Sequence, residues 1–428
     1  MNLGRIITFY SYKGGVGRSF VMANIAAILA KWGCKVLCVD WDLEAPGLHH
    51  FFPDVADSDN KNGLIHLMES AAKAKPLSWK KCVHTATIGA TGKQVDVIPA
   101  GREAKDYVQR VHALDWKALY DKHRLGEFLD RLRIEWKTDY DFVLLDSRTG
   151  LTDIGGICTV HLPDFIVQVF TANEQSMDGT QYVATQVKER RKNFFYSNGQ
   201  ALILPLLSRW EDKDAPDAAK QWLPRITKMV TPAMTEWKQR GVTISRLVEL
   251  LKIPYKAEWN FGERIVQESD ESSTSPGSVS HHLHLVAALL ARDFTETQQL
   301  CESPDEYVRV AEATAKGRRI SEPAKTLPVA AEERRARAII RPHLEADSSD
   351  FQLLSLIARK YEMAVARSAP AGQLEAIRVE LNQLRAEVGL PPLPAESPTT
   401  KPPVKKTPST RKAVALKRKP KKSATHRK

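Results

Sequence analysis

No run of about 18 apolar residues occurs in the chain, so a membrane-spanning helix is not expected. The N-terminus enters a strand-like segment directly, without the charged and apolar regions of a secretion signal. Cysteine is scarce: Cys34, Cys38, Cys82, Cys158 and Cys301 are odd in number and show no C-x-x-C spacing. That argues against a disulfide framework or a zinc site and for buried free thiols. A cytoplasmic location is expected. The last 32 residues contain no acidic and no aromatic residue, although the chain as a whole carries a net charge of +12.

What is present begins near the N-terminus. Residues 12 to 19 read Tyr-Lys-Gly-Gly-Val-Gly-Arg-Ser, close to the phosphate-binding pattern G-x-x-x-x-G-K-[ST]. In that pattern backbone amides cradle phosphates, the lysine reaches the outer phosphates and the hydroxyl holds Mg²⁺. The strict pattern fails twice, because Tyr12 stands at the first glycine and Arg18 at the lysine, while Gly17 and Ser19 fit. The context restores it: Arg5 to Tyr10 reads as a buried strand, and Ser19 to Lys31 as an Ala-rich helix ending before Gly33. Free amides and the positive end of that helix would face an anion. A glycine turn without a ligand is the competing reading.

The loop from Lys13 to Ser19 resembles the K-G-G-V-G-K-[ST] loop of the ParA/MinD family of P-loop ATPases, whose Walker A sequence is deviant. The resemblance continues in Asp40-Trp-Asp42 at the end of a second strand, in Tyr140-Asp-Phe-Val-Leu-Leu-Asp146 as the Walker B strand, and in Ile253-Pro254-Tyr255. It covers residues 1–300 approximately, with four motifs in the family's order. It implies an ATPase that dimerises on ATP, uses Mg²⁺ and answers to a protein partner. Gly14, Gly15, Val16, Gly17, Arg18, Ser19 and Phe20 correspond to the nucleotide cradle, and Pro254 and Tyr255 to the segment near the base. Ser19, Asp40 and Asp146 correspond to the metal site, with Asp146 accepting from a metal-bound water. By the same resemblance Lys13 reaches the partner's phosphates across a dimer, and Asp42 orients the attacking water. Either Asp40 or Asp42 could instead merely cap the turn that follows, Leu43-Glu-Ala-Pro-Gly.

Arg18 departs from the family. A planar guanidinium needs a fork-shaped partner, unlike the compact ammonium of lysine. It could leave binding intact while slowing hydrolysis, or turn outward and leave Lys13 as the nearest cation. The segment after Asp146, Ser147-Arg148-Thr149-Gly150-Leu151-Thr152-Asp153-Ile154-Gly155-Gly156, lacks the family's prolines. A γ-phosphate sensor would lie in that segment, and Arg148 and Asp153 are candidates to contribute to the site.

Alternating β and α patterns predict an α/β, mostly parallel, doubly wound P-loop sheet with helices on both faces and ligands at the carboxyl ends of its strands. Strands are expected near 5–10, 35–40, 94–98, 141–146, 165–170, 201–207 and 251–255. Helices are expected between the last two, around Trp222 and Trp237, and closing elements at Gly262-Glu-Arg-Ile and from His281 to Asp293. His281, His282 and His284 lack carboxylate or cysteine neighbours in sequence, so a helix start is favoured over a metal. A small all-α domain is expected over 303–390. Ser349 and Asp350 would cap one helix, and Leu374, Ile377, Leu381, Leu384 and Val388 form two heptads of another.

The tail, 391–428, is expected to be disordered. Of 63 Lys and Arg, twelve fall between Ser397 and Lys428, leaving 51 against the 51 Asp and Glu of the body. The excess charge therefore resides in the tail, including Lys405, Lys406, Arg411, Lys412, Lys417, Arg418, Lys419, Lys421 and Lys422. Such a segment can bind DNA without reading sequence, which would allow association with the nucleoid. A solubilising tail and contact with an anionic membrane are the alternatives. Two functions remain: an ATP-dependent dimeric switch with slow turnover, nonspecific DNA binding and a protein partner, or a nucleotide-bound regulatory scaffold without turnover in bacterial signalling or defence. A small-molecule enzyme of the P-loop class is weaker, for want of a substrate constellation.

Deleting 397–428 is expected to lower DNA affinity and to flatten its dependence on salt, the slope falling by about 0.9 for each phosphate that the tail neutralises. ATP binding should be unchanged. Fluorescence anisotropy across a salt series measures both, and equal slopes with and without the tail would refute DNA binding through it.

Overall fold

The computed structural model describes residues 4–317, except 59, 72, 74–76, 102–104, 150–155, 193–201, 267–272 and 274, together with 379, 382 and 383. The chain divides into two units, Met1–Ile339 and Ile340–Lys428. The capping pair Ser349 and Asp350, the heptad from Leu374 to Val388, the basic tail and Asp153 lie outside the described residues.

Short runs of β-branched and aromatic residues form seven strands: β1 (Arg5–Tyr10), β2 (Val36–Asp40), β3 (His84–Ile88), β4 (Lys93–Ile98), β5 (Phe142–Asp146), β6 (Phe165–Phe170) and β7 (Leu202–Leu207). They make one sheet in the order β3-β4-β2-β5-β1-β6-β7. Every pairing is parallel except the β3–β4 hairpin. β2 and β5 are buried at every position, as parallel strands covered on both faces must be. Successive residues alternate between two cores. Ile7, Cys38, Phe142 and Leu144 face one; Ile6, Leu37, Val143 and Leu145 face the other.

The first core is built on α1 (Arg18–Lys31), which is buried continuously from Val21 to Ala30. Its Ala-rich sequence lets it lie close to the sheet while α6 (Val279–Ala291) packs against it. The helices between them include α2 (Leu125–Asp139), α3 (Glu174–Lys192), α4 (Pro216–Met234) and α5 (Ile244–Leu251). Asn24 is the polar exception inside α1. Its amide donates to the Phe20 carbonyl at 2.8 Å and its oxygen accepts from the Val266 N–H at 2.6 Å, tying the closing segment to the core.

Three sequence expectations change. Residues 251–255 do not form a strand: α5 continues to Leu251, and Pro254 has no N–H to donate. What remains is a single bridge between Trp210 and Pro254, with the Ile253 N–H on the Leu207 carbonyl at 2.8 Å. Second, β3 is an edge strand not foreseen, its side chains alternately buried and exposed. Third, helix α7 (Pro304–Gly317) opens the segment expected to be a separate helical domain, yet it packs into the first core through Tyr307, Ala311 and Ala315. The Tyr307 hydroxyl donates to the Thr295 carbonyl at 2.7 Å, which fixes that helix to the body.

The three histidines of α6 bind backbone. Nδ1 of His281, His282 and His284 lie 3.0, 2.8 and 2.8 Å from the carbonyls of Ser273, Leu250 and Ser280. Burial lowers the His282 imidazole to about 4, so it is neutral and serves packing. Ser278 caps the helix by accepting from the His281 N–H at 2.9 Å.

Below the amino ends of the strands sits a buried charge cluster. Asp164 accepts from the Ile6 N–H at 2.9 Å and from Lys137 Nζ at 2.7 and 2.8 Å, and it also pairs with Arg133. Burial would raise the Asp164 carboxyl, but Arg133 and Lys137 hold it below the usual carboxylate range. Burial also lowers the Lys137 ammonium to about 8. Asp164→Ala strands that ammonium and is expected to cost about 3–5 kcal/mol in urea unfolding. Because the folded pKa of Asp164 is depressed, its contribution is complete above the unfolded value and disappears as pH falls through the folded one. The variant should therefore lose less stability than the parent on acidification below about pH 4. Parallel acid profiles would rule out this role.

Candidate functional site

The parallel register gathers the site. Asp40 and Asp146 end neighbouring strands and are register partners, and Phe9 of β1 pairs with Asp146 on its other side. The turn from β1 to α1 is thereby set beside two carboxylates. Gly15 and Gly17 adopt φ of 74° and 86°, in the left-handed region where a Cβ is strained. Val16 between them is buried and anchors the loop, while Gly14 and Gly15 are exposed. Lys13 is half-buried and makes no ion pair among the described residues. Tyr12, the residue replacing the pattern's first glycine, turns its ring onto α3. A Cβ placed on Gly179 would overlap that ring.

Arg18 turns inward, which removes the outward alternative. Its Nε donates to Asp146 Oδ1 at 2.5 Å and its Nη2 to Asp42 Oδ2 at 2.9 Å. Only 8% of the residue is exposed, against 7% of Asp42 and 1% of Asp146, so water screens these contacts little. Burial would lower the guanidinium's pKa, but the two carboxylates raise it. Nη1 is buried and has no hydrogen-bond partner among the described residues. Ser19 Oγ donates to the remaining oxygen of Asp146, Oδ2, at 2.6 Å.

Asp40 is fully buried, and its oxygens accept from the backbone N–H groups of Asp42 and Leu48 at 3.1 and 3.2 Å. Burial and the nearby Asp146 push its carboxyl up to about 8. Asp146 is also raised by burial, although Arg18 and Ser19 pull it back. Asp42 Oδ1 accepts from the Ala45 N–H at 3.3 Å. Both aspartates of the Asp-x-Asp motif therefore fasten the loop that follows them, and Asp42 engages Arg18 as well. Arg148, just past Asp146, pairs with Glu44 of that same loop, so the segments after β2 and β5 are joined above the carboxylates.

The remaining expected residues lie at the other side of the loop. Phe20 packs near Trp259, with ring centroids 6.2 Å apart. Pro254 and Tyr255 line a cleft of about 800 Å³ with Trp210, Lys252, Lys256 and His281. Ser208 lies beside the loop, since a Cβ on Gly17 would lie 3.4 Å from its hydroxyl. Trp210 and Trp259 were not foreseen. The signal for Trp210 is its place just past β7, after Arg209 with φ of 53°, where a chain leaving a sheet end often meets ligand.

A strand, a glycine turn and a buried helix joined in this way, with the neighbouring strand's aspartate on the helix's first serine, are the P-loop nucleotide-binding architecture. Residues 4–198 match the family model described as an AAA domain. An uncharacterized ATP-binding protein of Methanocaldococcus jannaschii is 25% identical over 177 residues, which are 41% of this chain and 56% of that protein. The septum site-determining protein MinD of Helicobacter pylori is 29% identical over 154 residues, 34% of this chain and 45% of the relative. The solved structure of the septum site-determining protein MinD complexed with Mg-ADP from Pyrococcus horikoshii OT3 has a TM-score of 0.45 at 20% identity, covering 70% of this chain and 100% of its own. The chain spans about half the length of the two curated relatives. Its first part is thus similar to an AAA domain and, over these spans, to ATP-binding and MinD proteins.

Gly17→Ala puts a Cβ on a left-handed residue, at a cost of about 1–2 kcal/mol. Because the loop can relax only by moving its amides, nucleotide affinity is expected to fall at least about tenfold, or 1.4 kcal/mol. Titration with a fluorescent ATP analogue and urea unfolding check the two effects; unchanged affinity would mean that the loop's amides do not hold phosphate.

Proposed function

We propose that the chain is an ATP-dependent dimeric switch with slow hydrolysis, which binds DNA nonspecifically through its basic tail and is read by a protein partner. One observation carries the nucleotide part: Asp146 and Asp42 converge on Arg18 at the mouth of the glycine loop, and Ser19 donates to Asp146 beside them. The amides of residues 14–19 would take the phosphates, with the N-terminus of α1 adding its positive dipole. Phe20, Pro254 and Tyr255 would border the base, next to the cleft. Ser19, Asp40 and Asp146 are hard oxygen donors of the kind Mg²⁺ uses. Among the described residues no group of three or more His, Cys, Asp or Glu could hold a metal unaided, which suits an ion completed by phosphates and water. Such an ion would neutralise charge on the phosphates.

Hydrolysis asks little covalent chemistry of the protein. Water would attack the γ-phosphorus, the bond from that phosphorus to the bridging oxygen would break, and Asp42 would hold the water in line. Asp42 is held by Arg18 in this structure, so it must exchange that contact for water before turnover. This restraint supports a slow enzyme. It also favours the second reading, a nucleotide-bound regulatory scaffold that does not turn over. Lys13, free of ion pairs among the described residues, would reach the phosphates of a second copy.

The decisive measurement is molecular mass in solution with ADP, ATP and a slowly hydrolysed analogue, combined with phosphate release. The parent protein is expected to dimerise with ATP, and Lys13→Ala to remain monomeric while binding nucleotide. Phosphate release should be slow and should fall at least about tenfold in Asp42→Ala, equivalent to 1.4 kcal/mol in the barrier. ATP binding with no release in either protein would select the scaffold. An unchanged mass in all nucleotides would remove the dimeric switch.

A further inference from the structure

We propose that Arg18 is a built-in counter-cation that makes nucleoside triphosphate binding at this loop independent of a divalent metal. This role rests on the reading of the loop as a nucleotide cradle and deepens it.

A guanidinium has five N–H groups in a fixed plane, and no change of pH within the protein's range removes its charge. Two of those groups bind Asp146 and Asp42 along one edge, through Nε and Nη2. Nη1 is left buried and without a hydrogen-bond partner among the described residues. Buried polar groups are nearly always satisfied, so such an atom marks a place where an acceptor belongs. At the start of a helix, behind a glycine loop, the fitting acceptor is an anionic oxygen, and the Arg fork favours phosphate in particular. A lysine at this position could not do both tasks: its single ammonium is a point charge, whereas the guanidinium bridges two carboxylates and keeps a donor in reserve.

Each carboxylate oxygen that would attract a metal already accepts a hydrogen bond. Asp146 already accepts from Arg18 Nε on one oxygen and from Ser19 Oγ on the other. Both Asp40 oxygens accept backbone N–H groups. A divalent ion entering here competes with these donors for the carboxylate oxygens and meets the fixed positive charge of Arg18 beside them. The charge it would bring to the phosphates is supplied in part by the protein. Mg²⁺ can still bind with the nucleotide, but it contributes little to affinity because Arg18 has taken over much of its electrostatic role. Arg18 is accordingly a specificity-determining residue.

The test uses the full chain, a fluorescent ATP analogue, and either Mg²⁺ or EDTA. Wild-type affinity is expected to change by less than about threefold on chelation, whereas Arg18→Lys should bind with Mg²⁺ and lose at least about tenfold without it. A wild-type loss as large as that of the lysine variant would overturn the proposal. So would a lysine variant as indifferent to EDTA as the parent, because the indifference would then come from another cation. If Arg18→Lys fails to fold, as circular dichroism would show, a Mg²⁺ titration of the wild type decides alone: a flat affinity supports the proposal and a steep one refutes it. Failure to bind the analogue in either buffer would instead overturn the cradle reading itself.

Discussion

The guanidinium of Arg18 lies buried between the carboxylates of Asp146 and Asp42, at 2.5 and 2.9 Å, and the carboxyl edge of the sheet is organised by that contact. Three separate strands meet there only because the register is parallel: β1 delivers the glycine loop, β2 ends at Asp40 and leads to Asp42, and β5 ends at Asp146. A slip of one residue in β5 would turn the last carboxylate to the opposite face. Ion pairs this deep are poor stabilisers, since desolvation offsets most of the attraction, and apolar residues of similar volume would serve stability as well. Removing one partner, in contrast, leaves a buried charge exposed to nothing but protein. The cluster therefore makes the fold sensitive to change at Arg18 without making it more stable, which is the pattern of a site kept for chemistry.

Much of this was legible in the sequence because local signals agreed with the global one. Strand, glycine loop and Ala-rich helix follow each other without a break in residues 5–31, and the expected strand ends fall within one or two residues of the observed ones in β1, β2, β4, β5, β6 and β7. The failures have physical causes. Residues 251–255 have a strand's composition, but a proline and the end of α5 leave room for only one bridge. β3 alternates between buried and exposed positions and pairs with a hairpin neighbour, so it lacks the continuous apolar run that marks the central strands. The helix Pro304–Gly317 reads as part of a polar helical region, yet three residues on one side of it, Tyr307, Ala311 and Ala315, are enough to commit it to the core. At the site, the glycine loop, Ser19 and the three aspartates were readable as motifs, whereas the direction of Arg18 was not: a side chain's rotamer depends on carboxylates more than twenty and more than a hundred residues away.

Tyr12 and Arg18, the two departures from the strict phosphate-loop pattern, have different consequences. Tyr12 sends its ring away from the loop and onto Gly179, so the missing glycine is absorbed by a neighbouring helix that offers it space. The backbone path of the cradle still passes through left-handed glycines at 15 and 17. Arg18 is absorbed by no such accommodation. It changes the charge inside the cradle, since a fixed cation now shares the position with the oxygens of Asp146, Asp42 and Ser19.

That difference separates binding from turnover in physical terms. Affinity for a phosphate chain depends on amides, a helix dipole and positive charge, all of which the arginine leaves in place or strengthens. Hydrolysis would depend on an in-line water held by a free carboxylate at the moment of attack, and Asp42, the carboxylate proposed for that task, already has a strong partner. A nucleotide that competes for the guanidinium would draw it toward phosphate and release Asp42 to the same extent. The cradle would then become competent for hydrolysis only when a triphosphate, rather than a shorter anion, reaches far enough to take the spare Nη1 donor. On this view the arginine ties turnover to complete occupation of the loop, and the Arg148–Glu44 pair above the carboxylates would carry that change to the loops after β2 and β5, where a partner or a second copy could sense it.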